Sequence, residues 1–173
     1  MTPRVSVRPL EPNDAPALVR LLVANREFLA PFEPVRPATH YTVAGQLERL
    51  ARLAEDRLAD RGYSGAILED GELVGTVTLA PIIRGAAQSA TVGYWVAESS
   101  CGRGVATAAV RETTRIAFTD LDMHRVDSCT LIDNTASQRV LRKVGFAQVG
   151  HAPRYLHING EWRDHLLFQL LAD

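Results

Sequence analysis

The sequence predicts a mixed α/β or α+β fold in one layer stack, with helices on both faces of a sheet. Hydrophobic periodicity switches repeatedly between helix and strand spacing along the chain. Asp70-Gly71 and Asn159-Gly160 each split a strand-like run into two arms, the signature of tight hairpins. No repeat or linker interrupts the 173 residues, so one domain over residues 1–173 is expected.

The elements follow in order. Arg4 to Arg8 sets Val5 and Val7 on one face, a short half-buried strand. Asn13 and Asp14 can cap a helix carrying Ala17, Leu18, Leu21 and Leu22, with Pro12 and Pro16 confined to its start. Ala30 to Pro37 is the one irregular stretch. Pro31, Pro34 and Pro37 remove backbone donors there, and the segment is the longest candidate lid. A second helix is expected from about Val43 to Ala59. Its apolar stripe would be Leu47, Leu50, Ala54 and Leu58, its wet side Arg49, Arg52, Glu55 and Asp56, and its stop Gly62. Strands are expected over Tyr63 to Glu69, Glu72 to Pro81 and Gln88 to Ala97. The turn Cys101-Gly102-Arg103-Gly104 then opens a helix to about Phe118. Arg125 to Ile132 reads as a strand, Asn134 to Val144 as a short helix closed by Gly145, and two strands flank Asn159-Gly160.

Composition excludes several function classes. With 46% hydrophobic and 23% charged residues, the chain is neither a disordered tail nor a fibre. Nineteen Lys+Arg against twenty Asp+Glu give a net charge of -1, so no basic field points to nucleic acid. Cys101 and Cys129 are too few for a disulfide scaffold and lack metal-ligand spacing. No apolar run approaches the ~20 residues that span a bilayer. Arg4, Arg8, Glu11 and Asp14 stand where a signal peptide would be apolar. A reduced, cytoplasmic protein without bound metal or membrane contact is expected.

A glycine-rich turn between a strand and a helix N-terminus can take an anion. The first helical N–H groups lack internal partners, the macrodipole adds positive potential, and glycines admit phosphate to the backbone. A plain βα loop would look the same. No Gly-Lys-Ser/Thr follows, so this is no nucleoside-triphosphate loop, and the third glycine of a dinucleotide fingerprint is missing.

A second stretch, Asn134-x-x-Ser137-x-x-x-Leu141-x-Lys143-x-Gly145-Phe146, narrows the choice. Together with the strand–turn–helix from Tyr94 to Ala109 it resembles the GNAT superfamily of acetyl-CoA-dependent N-acetyltransferases. Asn25 to Arg36, Ile83-Arg84-Gly85 and Leu156 to His165 resemble the branch that acetylates N-terminal alanine or serine of ribosomal proteins. One departure stands out: the head of the pyrophosphate loop, usually Gln or Arg, is Cys101.

The resemblance implies a mixed, mostly antiparallel sheet of six to seven strands, splayed between the fourth and fifth. It implies that Tyr94, Trp95 and Val96 line the pantetheine arm, with the Val96 N–H polarising the thioester carbonyl. Cys101, Gly102, Arg103, Gly104, Val105 and Ala106 would wrap the pyrophosphate with Thr107 in reach. Asn134 would bond pantetheine or substrate amide, and Ser137 would stabilise the departing thiolate. Glu33 and Glu27 are candidates to receive the amine and its proton; Tyr155 is a candidate lining residue of the acceptor cleft. Asp164 and His165 read as a structural pair and Trp162 as packing. Cys101, beside Arg103 at a helix N-terminus, is expected to carry a depressed pKa, and Cys129 to be buried. The acceptor is then a protein N-terminus, with a small amine as the alternative, and a non-catalytic acyl-CoA-binding module as the alternative outside enzymes. The chain would act as monomer or homodimer.

Overall fold

The computed structural model of the protein describes residues 4–172. Seven strands form one sheet: β1 (Val5–Pro9), β2 (Tyr63–Glu69), β3 (Glu72–Ile83), β4 (Ser89–Val96), β5 (Arg125–Leu131), β6 (Ala147–Ile158) and β7 (Glu161–Leu171). Their order is β1-β2-β3-β4-β5-β7-β6. Every neighbouring pair is antiparallel except β4 and β5. The β2–β3 turn carries Asp70 at φ 52° and Gly71 at φ 91°, and the β6–β7 turn Asn159 at φ 47° and Gly160 at φ 84°. Positive φ at both central residues matches the twist of the arms, which is why these dipeptides make hairpins.

Helices cover both faces. On one side α4 (Val105–Arg115) and α5 (Thr135–Val144) bring Val105, Ala109, Val110 and Leu141 onto Ile67, Val77, Leu79, Val92 and Val126, the main core. Val5 and Val7 of β1 pack on this side. On the other side lie α1 (Ala15–Ala24), the single turn α2 (Arg26–Leu29) and α3 (Val43–Leu58). There Leu10, Ala15, Leu50 and Ala66 form one cluster, and Leu18, Leu22 and Leu29 a second that takes in Trp95.

Three local expectations are corrected. Asp14 does not cap α1 with its side chain; it accepts from the Glu11 N–H at 2.8 Å and binds Arg8 at 2.7 Å, closing a 3₁₀ turn at Pro12–Asp14 ahead of the helix. The stripe of α3 is rotated: Leu58 is 85% exposed and Leu47 also faces outward, whereas Gln46 and Leu50 are buried. Arg49, assigned to the wet side, is turned inward beside them. The helix stops before Gly62, where Asp60 takes φ 56°. The irregular segment after α2 contains short 3₁₀ turns at Ala30–Phe32 and Ala38–Tyr41.

The parallel pairing of β4 with β5 ends at Thr91 and Asp127. One residue on, the Ser128 hydroxyl donates to the Val92 carbonyl at 3.0 Å, and beyond it no ladder joins the strands. The Ala97 N–H donates to Val74 of β3 at 2.7 Å, and strand alternation turns the Val96 N–H the opposite way, into the splay.

Candidate active site

The splay opens a cleft of about 630 Å³ between β4, α4 and α5. Its walls include Tyr94, Trp95, Val96, Cys101, Gly102, Gly104, Val105, Ala106, Thr107, Asn134 and Ser137. Of the residues expected at the cofactor, only Arg103 lies off this wall. Its guanidinium turns back to Glu69 at 2.7 Å, and the buried Glu69 also accepts from the Ser100 hydroxyl at 2.8 Å. The carboxylate at the end of β2 thus holds the turn from behind.

The turn itself is made of backbone. Gly102 sits at φ 73° and Gly104, the N-cap of α4, at φ 85°; a Cβ at either would meet nothing within 4 Å. No side chain caps α4, so its first N–H groups face the cleft without an internal partner. An open cradle of glycines at a helix N-terminus suits the pyrophosphate of coenzyme A. Arg139 and Lys143 line the same cleft, cations one helical turn apart that suit further phosphate.

Ser137 lies in the first turn of α5. Asn134 is the N-cap, its Oδ1 accepting from the Ser137 N–H at 3.1 Å, which leaves its amide NH₂ free to donate to a ligand. The Ser137 hydroxyl is 2.8 Å from the Tyr94 hydroxyl. Burial pushes the Tyr94 phenol up to about 12, the bond to Ser137 acting against it, so the phenol stays protonated. Sequence reasoning placed Tyr94 on the cofactor arm and missed this link, because strand and helix lie 43 residues apart.

A second cavity, about 280 Å³, opens on the other face of β4. Thr76, Thr78 and Gly93 floor it, Leu18, Leu22 and Leu29 back it, and Phe32, Glu33, Pro34 and Arg36 of the Pro-rich segment wall it with His40 and Arg49. Glu33 pairs with Arg36 at 3.0 Å, and its carbonyl accepts from the Asn159 N–H at 3.0 Å, tying the segment to the β6–β7 turn. The two cavities share Leu29, Phe32, Tyr94 and Trp95. Successive residues of β4 point to opposite faces, so Tyr94 reaches Ser137 while Trp95 packs with Leu18 and Leu22.

Other candidates lie apart. Glu27 is exposed and borders neither cavity. Tyr155 is half-exposed, stacked edge-on against His165 and outside both linings. Asp164 and His165 are not a pair: Asp164 takes the Arg154 N–H at 2.8 Å and His151 at 3.2 Å, while buried His165 donates from Nδ1 to the Arg163 carbonyl at 3.0 Å. Trp162, expected to pack, is 63% exposed and touches His157 across the hairpin. The expected reactive thiol is corrected too. Cys101 precedes the N-cap by three residues, Arg103 is held by Glu69, and burial together with Glu98 raises its pKa. Cys129 is half-buried, its pKa raised by burial.

A parallel pair that splays, a glycine turn at a helix N-terminus and a serine on the next helix are the frame of a GNAT enzyme. The chain belongs to that family: the profile described as Acetyltransferase (GNAT) domain matches residues 4–147. It is an N-acetyltransferase. It is 39% identical over 169 residues to the Probable N-acetyltransferase YjcK of Bacillus subtilis, covering 96% of this chain and 93% of that one. It is 29% identical over 171 residues to the ribosomal protein uS5-alanine N-acetyltransferase of Escherichia coli, covering 98% and 88%. Among solved structures, Mycobacterium smegmatis RimJ in complex with CoA-disulfide superposes with a TM-score of 0.94 at 36% identity, covering 97% of this chain and 82% of that one.

Proposed function

We propose that the protein transfers acetyl from acetyl-CoA to the α-amine of a protein N-terminus beginning with Ala or Ser, by direct attack with both substrates bound. The meeting of two cavities at β4 carries this reading. One has a cradle for pyrophosphate, the other opens to the outside beside the Pro-rich wall, and Tyr94 and Trp95 belong to both. The likeness to the uS5-alanine enzyme of Escherichia coli supports the acceptor class.

Acetyl-CoA brings the acetyl group as an activated thioester, and transfer to the amine leaves an amide and a free thiol. The residues position and stabilise. The Val96 N–H, free of the ladder, faces the splay and can donate to the thioester oxygen as charge grows on it. Ser137, held by Tyr94 at 2.8 Å, can donate to the sulfur as it leaves. An α-amine has a pKa of about 7.7–8.0, so much of it is neutral near pH 8, and positioning counts for more than a strong base. Glu33 stands in the acceptor cavity to attract the ammonium and take up its proton.

Mass spectrometry of N-terminal peptides incubated with acetyl-CoA tests the acceptor. Peptides beginning with Ala or Ser should gain acetyl on the α-amine, with spermidine and free amino acids poor. If a polyamine or free amino acid outperforms every peptide, the protein acceptor is wrong and the acetyltransferase stands.

A further inference from the structure

The acceptor cavity holds a cation, Arg49, that has no salt-bridge partner among the described residues. Arg49, turned inward from α3, has one hydrogen bond, 3.5 Å to the Gln46 carbonyl oxygen Oε1. No carboxylate among the described residues comes within 4.0 Å of its guanidinium. Glu33 is on the same wall but is held by Arg36 at 3.0 Å. Burial and the neighbouring Arg36 and Arg52 act against the charge on Arg49, and Glu33 offsets them only in part. Sinking an unpaired guanidinium into a partly apolar pocket costs stability unless something that binds there compensates it.

A second donor lies beside it. Gln46 is fully buried, and its Nε2 donates to the His40 carbonyl at 2.6 Å, which sets the amide's orientation. The same nitrogen is 3.4 Å from His40 Nδ1, so Nδ1 accepts and the ring proton sits on Nε2. That Nε2 is buried without a partner, and His40 lines the cavity. Burial and Arg36 lower the His40 pKa against a smaller opposing pull from Glu33, which favours the neutral ring. Two guanidinium groups against one carboxylate leave the wall with one excess positive charge, to which Thr76 and Thr78 add hydroxyls.

We propose that Arg49 and His40 bind a carboxylate of the acceptor, so that preferred protein N-termini carry an acidic side chain within their first few residues. The inference deepens the function proposed above and rests on it. A free amino acid would offer the same carboxylate from a different source. A polyamine would meet Arg36 and Arg49 instead of acceptors.

The test uses the full chain, acetyl-CoA and short peptides beginning with Ser. Asp or Glu is compared with Asn or Gln at the second, third and fourth positions. At one position at least, the acidic peptide should show a kcat/KM about ten- to hundredfold higher, the range of a charge-assisted bond. Arg49→Gln should erase that difference, Arg49→Lys should keep part of it, and calorimetric affinity for CoA should show both variants folded. Equal rates for acidic and neutral peptides at every position overturn the inference while leaving the protein acceptor intact, and so does a full preference surviving in Arg49→Gln. Free amino acids preferred over peptides, with a free-acid-over-amide preference lost in Arg49→Gln, would keep the carboxylate site and remove the protein acceptor.

Discussion

The proposed cofactor cleft and the proposed acceptor cavity share a strand and are built from different material. The cleft is made chiefly of backbone: two left-handed glycines, the open N-terminus of α4 and a free edge of β4. Its specific side chains are few, and Ser137 and Tyr94 are two of them. The cavity is made chiefly of side chains, drawn from α1, the Pro-rich segment, α3, β3 and β4. Backbone donors read a ligand common to a whole family, whereas side chains can be exchanged without disturbing the fold. Changes in the cleft should therefore slow all acceptors together, and changes in the cavity should re-rank them.

The sharpest way to break this contrast is Gly104→Val. A β-branched residue at φ 85° costs about 1–3 kcal/mol of strain and sets methyls where the proposed phosphate would lie. Binding of acetyl-CoA should be lost in calorimetry while circular dichroism stays native. Unchanged affinity in the folded variant would remove the turn from the site.

Ser137→Ala should be next in size. The turnover number is expected to fall about a hundredfold for every acceptor alike, with little change in the KM for acetyl-CoA, because the bond strengthens as charge reaches sulfur. Tyr94→Phe should lose less. Since the two hydroxyls act as one unit, the double variant should be little worse than Ser137→Ala alone. A Ser137→Ala variant defective in binding alone would move the hydroxyl out of the transition state.

The smallest effect concerns Cys101. Its raised pKa keeps it a thiol across neutral pH, so alkylation by iodoacetamide should be slower than for free cysteine at pH 7 and climb as pH passes the ordinary thiol range near 8.5. CoA should slow it further by cover, since Cys101 lines the cleft. Labelling faster than free cysteine at neutral pH would restore the low-pKa thiol expected of the isolated loop.

That expectation illustrates where sequence reasoning runs out. Cys101, the helix start and Arg103 are all legible, but the partner that diverts Arg103 is Glu69, at the end of a strand 34 residues earlier. Likewise the stripe of α3 was legible as a helix with one apolar side, yet which side faces inward was not. Gln46 is buried because the His40 carbonyl is there to accept its hydrogen bond, whereas Leu58, on the expected stripe, is left exposed.

What the chain determined by itself is what neighbouring residues decide. Asp70-Gly71 and Asn159-Gly160 prefer the positive φ of a hairpin, Gly102 and Gly104 that of a tight turn before a helix and Gly145 that of a helix end, while Asn134 caps α5 through its side chain. All of these lie where expected. Tertiary structure alone decided which distant groups meet. The hydroxyl of Tyr94 on Ser137, the carboxylate of Glu69 behind the turn and the unpaired Arg49 beside His40 depend on how helices settle on a twisted sheet. That settling is set by packing of whole faces, and no local spacing encodes it.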